Sequence, residues 1–82
     1  MKYIVTKDEK GKEEMFTFPD SVHHNVMADA VSYLKNQTHD NWKRINRDVV
    51  SAGFIEGGVC VGKSESLGLS SRPEDTELFN YN

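Results

Sequence analysis

Two adjacent glycines, Gly57 and Gly58, separate two short runs rich in β-branched and aromatic residues. Upstream lies Val49-Val50-Ser51-Ala52-Gly53-Phe54-Ile55; downstream lies Val59-Cys60-Val61. A Gly-Gly pair takes the positive φ angles that a two-residue turn between right-twisted antiparallel strands requires. The spacing predicts a hairpin with Phe54 opposite Val61 and Ile55 opposite Cys60. Both faces of that ribbon carry apolar groups, so it needs cover on both sides. The cover must come from a short chain of 82 residues, of which 37% are hydrophobic. A mean hydropathy of −0.64 agrees. A domain of this length buries only about 60–65% of its unfolded surface. One domain over 1–82 with a thin core follows, and homo-oligomer formation is an easy way to thicken it.

A second ribbon is legible at the other end. Residues 2–6 and 13–18 carry Tyr3, Ile4, Val5, Thr6 and then Phe16, Thr17, Phe18. Gly11, in the charged stretch between them, supplies the left-handed residue of a bulged hairpin. Pro19 ends the second strand, and Asp20 or Ser21 suits an N-cap. From there the period becomes helical. Val22, Val26, Ala30 and Tyr33 recur at three- or four-residue steps, widened by Met27, Val31 and Leu34, which predicts a helix over about 21–36. Residues 36–41 are a polar break. Asp40 suits the cap of a short second helix over 41–47, with Trp42 and Ile45 as its apolar residues. Ser71-Arg72-Pro73-Glu74 fits a capping box with proline in the first turn. Leu78, Phe79 and Tyr81 would dock that last helical turn. The expected fold is therefore α+β: a small antiparallel sheet of two β-hairpins packed on one main α-helix, with a short second helix and a C-terminal helical turn. The helix stripe Val22, Val26, Met27, Ala30, Tyr33 and Leu34 should cover one face. Ile4, Phe16, Phe18, Trp42, Phe54 and Val61 complete the expected core.

Several function classes are disfavoured. One cysteine makes no intramolecular disulfide. No apolar run approaches the ~18 residues of a membrane span. Met1 to Asp8 contains no long apolar stretch, so it does not read as a signal peptide, and a cytoplasmic location is expected. The formal charge is −3. Residues 1–41 hold five basic and seven acidic groups, and 42–82 hold five and six, so both halves are mildly acidic. Lys43, Arg44 and Arg47 beside Trp42 form the one basic cluster. Cations beside an aromatic suit base stacking, but a solvated helix face with Trp42 turned inward is the simpler reading, and no nucleic-acid partner is expected.

Three motifs invite chemistry. Gly57-Gly58-Val59-Cys60-Val61-Gly62-Lys63-Ser64 matches the phosphate-binding pattern G-x-x-x-x-G-K-[ST]. That chemistry needs a loop that curls its amides round phosphate and opens into a helix. Here the middle of the motif wants to be extended, and Gly68 with its serines makes a poor helix afterwards. Nucleotide or phosphate binding through 57–64 is the alternative function, not the preferred one. His23 and His24 are neighbours about 100° apart on a helix, so they cannot chelate one metal from one face. No spacing ties them to His39 or Cys60. Cys60 sits in an apolar strand, where a thiol is buried and inert rather than nucleophilic. Neither an enzyme nor a cofactor or metal is expected.

The segment 63–75 is less easily absorbed. It holds Lys63, Ser64, Glu65, Ser66, Ser70, Ser71, Arg72, Glu74 and Asp75, with Leu67 and Leu69 as its apolar anchors. Either its own hydroxyls and cap tie it down, or it is a binding surface. In the second case Lys63 and Arg72 make charge-assisted contacts and the serines make adaptable ones. Val50-Ser51-Ala52-Gly53-Phe54-Ile55, Cys60 to Leu69, and Ser70 to Leu78 resemble a family of small phage and prophage proteins that share "SAGF", "GxSESLGL" and "SRPEDT" segments. The likeness covers roughly residues 49–79. It implies an origin in a phage or integrated element and brings no activity with it. Such proteins are often accessory factors that touch a host or virion protein. The functional expectation is a non-enzymatic binding protein that meets a host or phage protein through 63–75, using Lys63, Ser64, Glu65, Ser66, Ser70, Ser71, Arg72 and Asp75.

Overall fold

The structure, a computed structural model, describes residues 1–35, 42–44 and 47–81, and of 34, 35, 42–44 and 47 it describes the backbone alone. The chain is α+β. Its elements are β1 (Lys2–Asp8), β2 (Glu13–Phe18), α1 (His24–Ala30), β3 (Tyr33–Lys35), β4 (Trp42–Arg44), β5 (Arg47–Glu56), β6 (Val59–Val61), β7 (Lys63–Ser64), β8 (Leu69–Ser70) and α2 (Pro73–Asn80). Both expected hairpins form. In the first, Gly11 has φ 84°, and the Asp8 carboxylate accepts the Lys10 and Lys12 amides at 2.9 Å each, which shapes the turn. In the second, Gly57 and Gly58 have φ 57° and 80°. The register pairs Phe54 with Val61 and Ile55 with Cys60, as the turn length demands.

The two hairpins merge into one antiparallel sheet of order β2-β1-β5-β6 through the pairing of β1 with β5. The register shifts between Val5 and Thr6, which leaves Val50 as the extra residue of a bulge. Val50 therefore packs on one face and Val49 on the other. On the first face Tyr3, Val5, Ile55 and Cys60 meet Leu78 and Phe79 of α2. On the second, Ile4, Phe18 and Ala52 meet Ala28 and Met27 of α1, together with Leu67 and Leu69. Full burial of a side chain such as Ile4 stabilises the fold by about 1.5–3 kcal/mol. The free edge of β6 is stopped by α2, because the Cys60 amide donates to Thr76 Oγ1 at 3.0 Å.

Several expectations fail. The main helix is His24–Ala30, far shorter than 21–36, and Tyr33–Lys35 is a strand. Val31, Ser32 and Tyr33 are all modest helix formers, and the Ser32 hydroxyl bonds back to the Ala28 carbonyl at 2.9 Å as the helix ends. The helix is also rotated. Its inner face is His24, Met27, Ala28 and Val31, while Val26 is 55% exposed and Ala30 and Tyr33 face outward. Trp42–Arg44 is a strand paired with β3, where a helix over 41–47 was expected; the polar break at 36–41 and Ile45 lie outside the described residues. The cover on both faces that the apolar hairpin called for comes from α1 on one side and α2 on the other, where a single main helix with a docked C-terminal turn was expected. Tyr81 remains 89% exposed instead of docking. Among the described residues no helix is long and apolar enough to cross a membrane.

Candidate functional site

The segment after β6 divides into two parts with different surroundings. In the second part, α2 begins one residue later than expected. Ser71 donates its amide to the Gly62 carbonyl at 2.9 Å and stays with the ribbon. Arg72 becomes the N-cap, Pro73 opens the helix, and Asp75 occupies the third position in place of Glu74. The Asp75 carboxylate accepts the Arg72 amide at 2.9 Å, the Tyr3 hydroxyl at 2.7 Å and Arg72 Nε at 2.9 Å. The Arg72 fork also donates to both Glu13 oxygens, at 3.2 and 2.8 Å. One guanidinium thus joins β2 to α2, and one carboxylate joins β1 to the same helix. Such bidentate, charge-assisted bonds are the stronger kind.

The titration behaviour follows from this geometry. Asp75 is 0% exposed. Burial alone would raise its pKa, but the bonds from Tyr3 and Arg72 outweigh burial and hold it below the usual carboxylate value. The Ser51 hydroxyl assists as a nearby dipole, though it is buried without a bond of normal geometry. Glu13 is lowered by its bonds to Arg72. Tyr3 is pushed well above the ordinary phenol value, first by burial and then by its bond to Asp75.

The first part of the segment is a tight ribbon, β7 to β8. Gly62 has φ 78°, and a Cβ there would lie 3.1 Å from the Phe54 ring. The buried Ser64 hydroxyl accepts the Leu67 amide at 3.2 Å and bonds the Ser66 hydroxyl at 3.2 Å. The Ser64 carbonyl accepts the Gly68 amide at 2.9 Å. Leu67 and Leu69 anchor the ribbon on the α1 face of the sheet. Of the eight residues singled out by sequence, Lys63, Glu65, Ser66 and Ser70 are exposed, Ser71 and Arg72 are half-buried, and Ser64 and Asp75 are buried. Among the described residues neither Lys63 nor Glu65 has an ion-pair or hydrogen-bond partner for its side chain.

The ribbon has an open cleft on each side. One, of about 670 Å³, lies between Lys63–Ser66 and Lys2, His23, His24 and Phe54. The other, of about 530 Å³, is lined by Lys63–Glu65 and Gly68–Ser70. The floor of the larger cleft rests on a residue that sequence reasoning passed over. His24 is 4% exposed, and its Nε2 lies 2.9 Å from the Gly53 carbonyl. A carbonyl only accepts, so Nε2 carries the proton. The imidazole stands edge-on between Phe18 and Phe54, with centroids at 5.4 and 5.5 Å. Lys2 Nζ donates to the Val22 carbonyl at 3.0 Å and lies 6.0 Å from the Phe54 ring centroid. A histidine scores as polar in a periodicity count, which is why the helix face built on it was missed.

The other motifs are accounted for by position. The segment 57–64 is a hairpin turn, strand β6 and strand β7, followed by the ribbon turn and not by the helix that the phosphate-binding pattern calls for. The Ser64 hydroxyl is engaged within the ribbon. His24 packs on the α1 face and Cys60 on the α2 face, so the sheet separates them. Burial pushes the Cys60 thiol pKa up. Among the described residues no three His, Cys, Asp or Glu side chains cluster as metal ligands; His39 lies outside them. Comparison with protein-family models, curated proteins and solved structures finds no match.

Proposed function

We propose that the chain is a non-enzymatic protein-binding module, an accessory protein of the phage or prophage kind, which meets its partner through the rim of the ribbon at Lys63, Glu65, Ser66 and Ser70. Ser64, Ser71, Arg72 and Asp75 serve the same surface from below by holding the ribbon and α2 to the sheet. One observation carries the reading. Lys63 and Glu65 stand two residues apart on a rim flanked by clefts, each without a side-chain partner among the described residues, above a base in which Ser64, Arg72 and Asp75 are bonded internally. A rigid scaffold that presents polar side chains is how binding loops keep the ordering cost of association low.

The test is affinity capture with the wild type and a Lys63→Ala, Glu65→Ala double variant, followed by binding of each captured protein in purified form. A partner held by the wild type and lost from the variant supports the rim. Equal retention of every partner by both proteins sinks it. Sedimentation at several concentrations, run on both, shows whether the partner lost is a second copy of the chain.

A further inference from the structure

We infer that the larger cleft takes an acidic segment of a protein partner, with carboxylates against Lys63 and Lys2 and an apolar side chain on the Phe54 ring. This rests on the binding-module reading and names the chemistry of the partner. The chain carries a formal charge of −3, yet the cleft is lined by two lysines and one acid, Glu65, with His23 at its border. It is a locally cationic recess in a molecule of net negative charge, so an anionic group is favoured there over the average of the surface. Lys63 is exposed and unpaired among the described residues. The Lys2 ammonium has three donors, and the Val22 carbonyl takes one. Between them Phe54 is half-buried and held edge-on by His24, with the Gly62 backbone close beneath it. An aromatic floor between ammonium groups suits an apolar side chain flanked by acids.

A nucleic acid or other polyanion fits less well. Among the described residues no arginine lines the cleft to grip a phosphate in two-pronged fashion. Glu65 stands on its rim, and the chain as a whole carries a net charge of −3. A peptide answers both signs, because its carboxylates meet the lysines while its backbone amides are free to donate to Glu65.

The probe is the blocked pentapeptide Glu-Glu-Phe-Glu-Glu, titrated to millimolar concentration into the 15N-labelled full chain. Amide shifts are expected at His23, Phe54, Lys63, Glu65 and Ser66, with little change in α2. Lys63→Glu should weaken binding about fivefold or more, and added salt should weaken it, as for exposed charge pairs. The variants' own spectra show whether they are folded. No shifts, shifts centred elsewhere, or unchanged binding by Lys63→Glu overturns the inference. So does a response to inorganic phosphate or a single-stranded oligonucleotide at these amides without one to the peptide. If the rim variant loses its captured partner while the peptide leaves the cleft unmoved, the acidic ligand is wrong and the binding module stands. If neither responds, both fall.

Discussion

Lys63–Ser66 and Arg72–Asp75 belong to one polar segment and have similar composition, yet their side chains meet opposite fates. Arg72 and Asp75 spend nearly all their bonding capacity inside the protein, on Glu13 and Tyr3. Lys63 and Glu65 spend none on described neighbours. The difference lies in what each stretch faces. α2 is pressed onto the Tyr3, Val5, Ile55 and Cys60 face of the sheet, where Asp75 must find partners or cost several kcal/mol. The ribbon covers the other face with Leu67 and Leu69 and tucks in Ser64, while Lys63, Glu65, Ser66 and Ser70 stay in water. Charge in a protein of this size becomes structural or available according to burial, not according to residue type.

The largest expected effect comes from cutting the internal half. Arg72→Ala leaves Asp75 buried with its charge uncompensated. Arg72 is itself about a quarter exposed (24%), which places the loss at the lower end for buried pairs, about 3 kcal/mol. Against a total of roughly 5–10 kcal/mol for a small domain, urea unfolding should show a much lower midpoint. A midpoint within error of the wild type would erase the contrast between the two halves.

Gly53→Ala comes next. A Cβ at Gly53 would sit 2.5 Å from the Val61 carbonyl oxygen, so strands β5 and β6 would have to part. Overpacking of this kind costs about 1–3 kcal/mol, readable as a drop in melting temperature. The close approach explains a glycine in the middle of a central strand.

Tyr3→Phe should cost about 1–2 kcal/mol, because it removes one donor from a buried carboxylate. It should also change the pH profile. The folded pKa values of Asp75 and Glu13 lie below their ordinary values of 3.8 and 4.5. The stability they contribute is therefore complete above that range and lost as pH falls through the lowered values. Tyr3 is raised above its ordinary 10.0, so its contribution is complete below pH 10 and lost as pH rises beyond it. Wild-type stability measured against pH should fall at both ends. Tyr3→Phe should flatten the alkaline limb, and Arg72→Ala the acid one.

The smallest effects belong to the rim. Lys63→Ala, Glu65→Ala and Ser66→Ala should each change stability by less than about 0.5 kcal/mol. A larger loss in any of them would mean that the rim is architecture too.

Much of this fold was legible before any coordinates. The two hairpins, the Gly57-Gly58 turn with its register, and proline at the start of α2 follow from local rules about φ angles, hydrogen-bond donors and alternation. The candidate rim was legible as a polar stretch, but the division within it was not. Nothing in Ser71-Arg72-Pro73-Glu74-Asp75 says that Asp75 rather than Glu74 caps the helix. That choice depends on Ser71 being held by Gly62 and on Tyr3, 72 residues away, supplying a hydroxyl. The helix phase was misread for a similar reason. Val22, Val26, Ala30 and Tyr33 look like an inner stripe until His24 is seen bonded to the Gly53 carbonyl, which turns Val26 outward.

The amino-acid sequence by itself determined the two hairpins and their turns, because glycine, proline and β-branched residues act on the backbone within a few positions. Only the tertiary structure decided that β1 joins β5, which elements cover each face of the sheet, and which charges are buried. Those outcomes depend on contacts between distant segments, where the loss of water around a charge must be offset by partners that no local pattern can name.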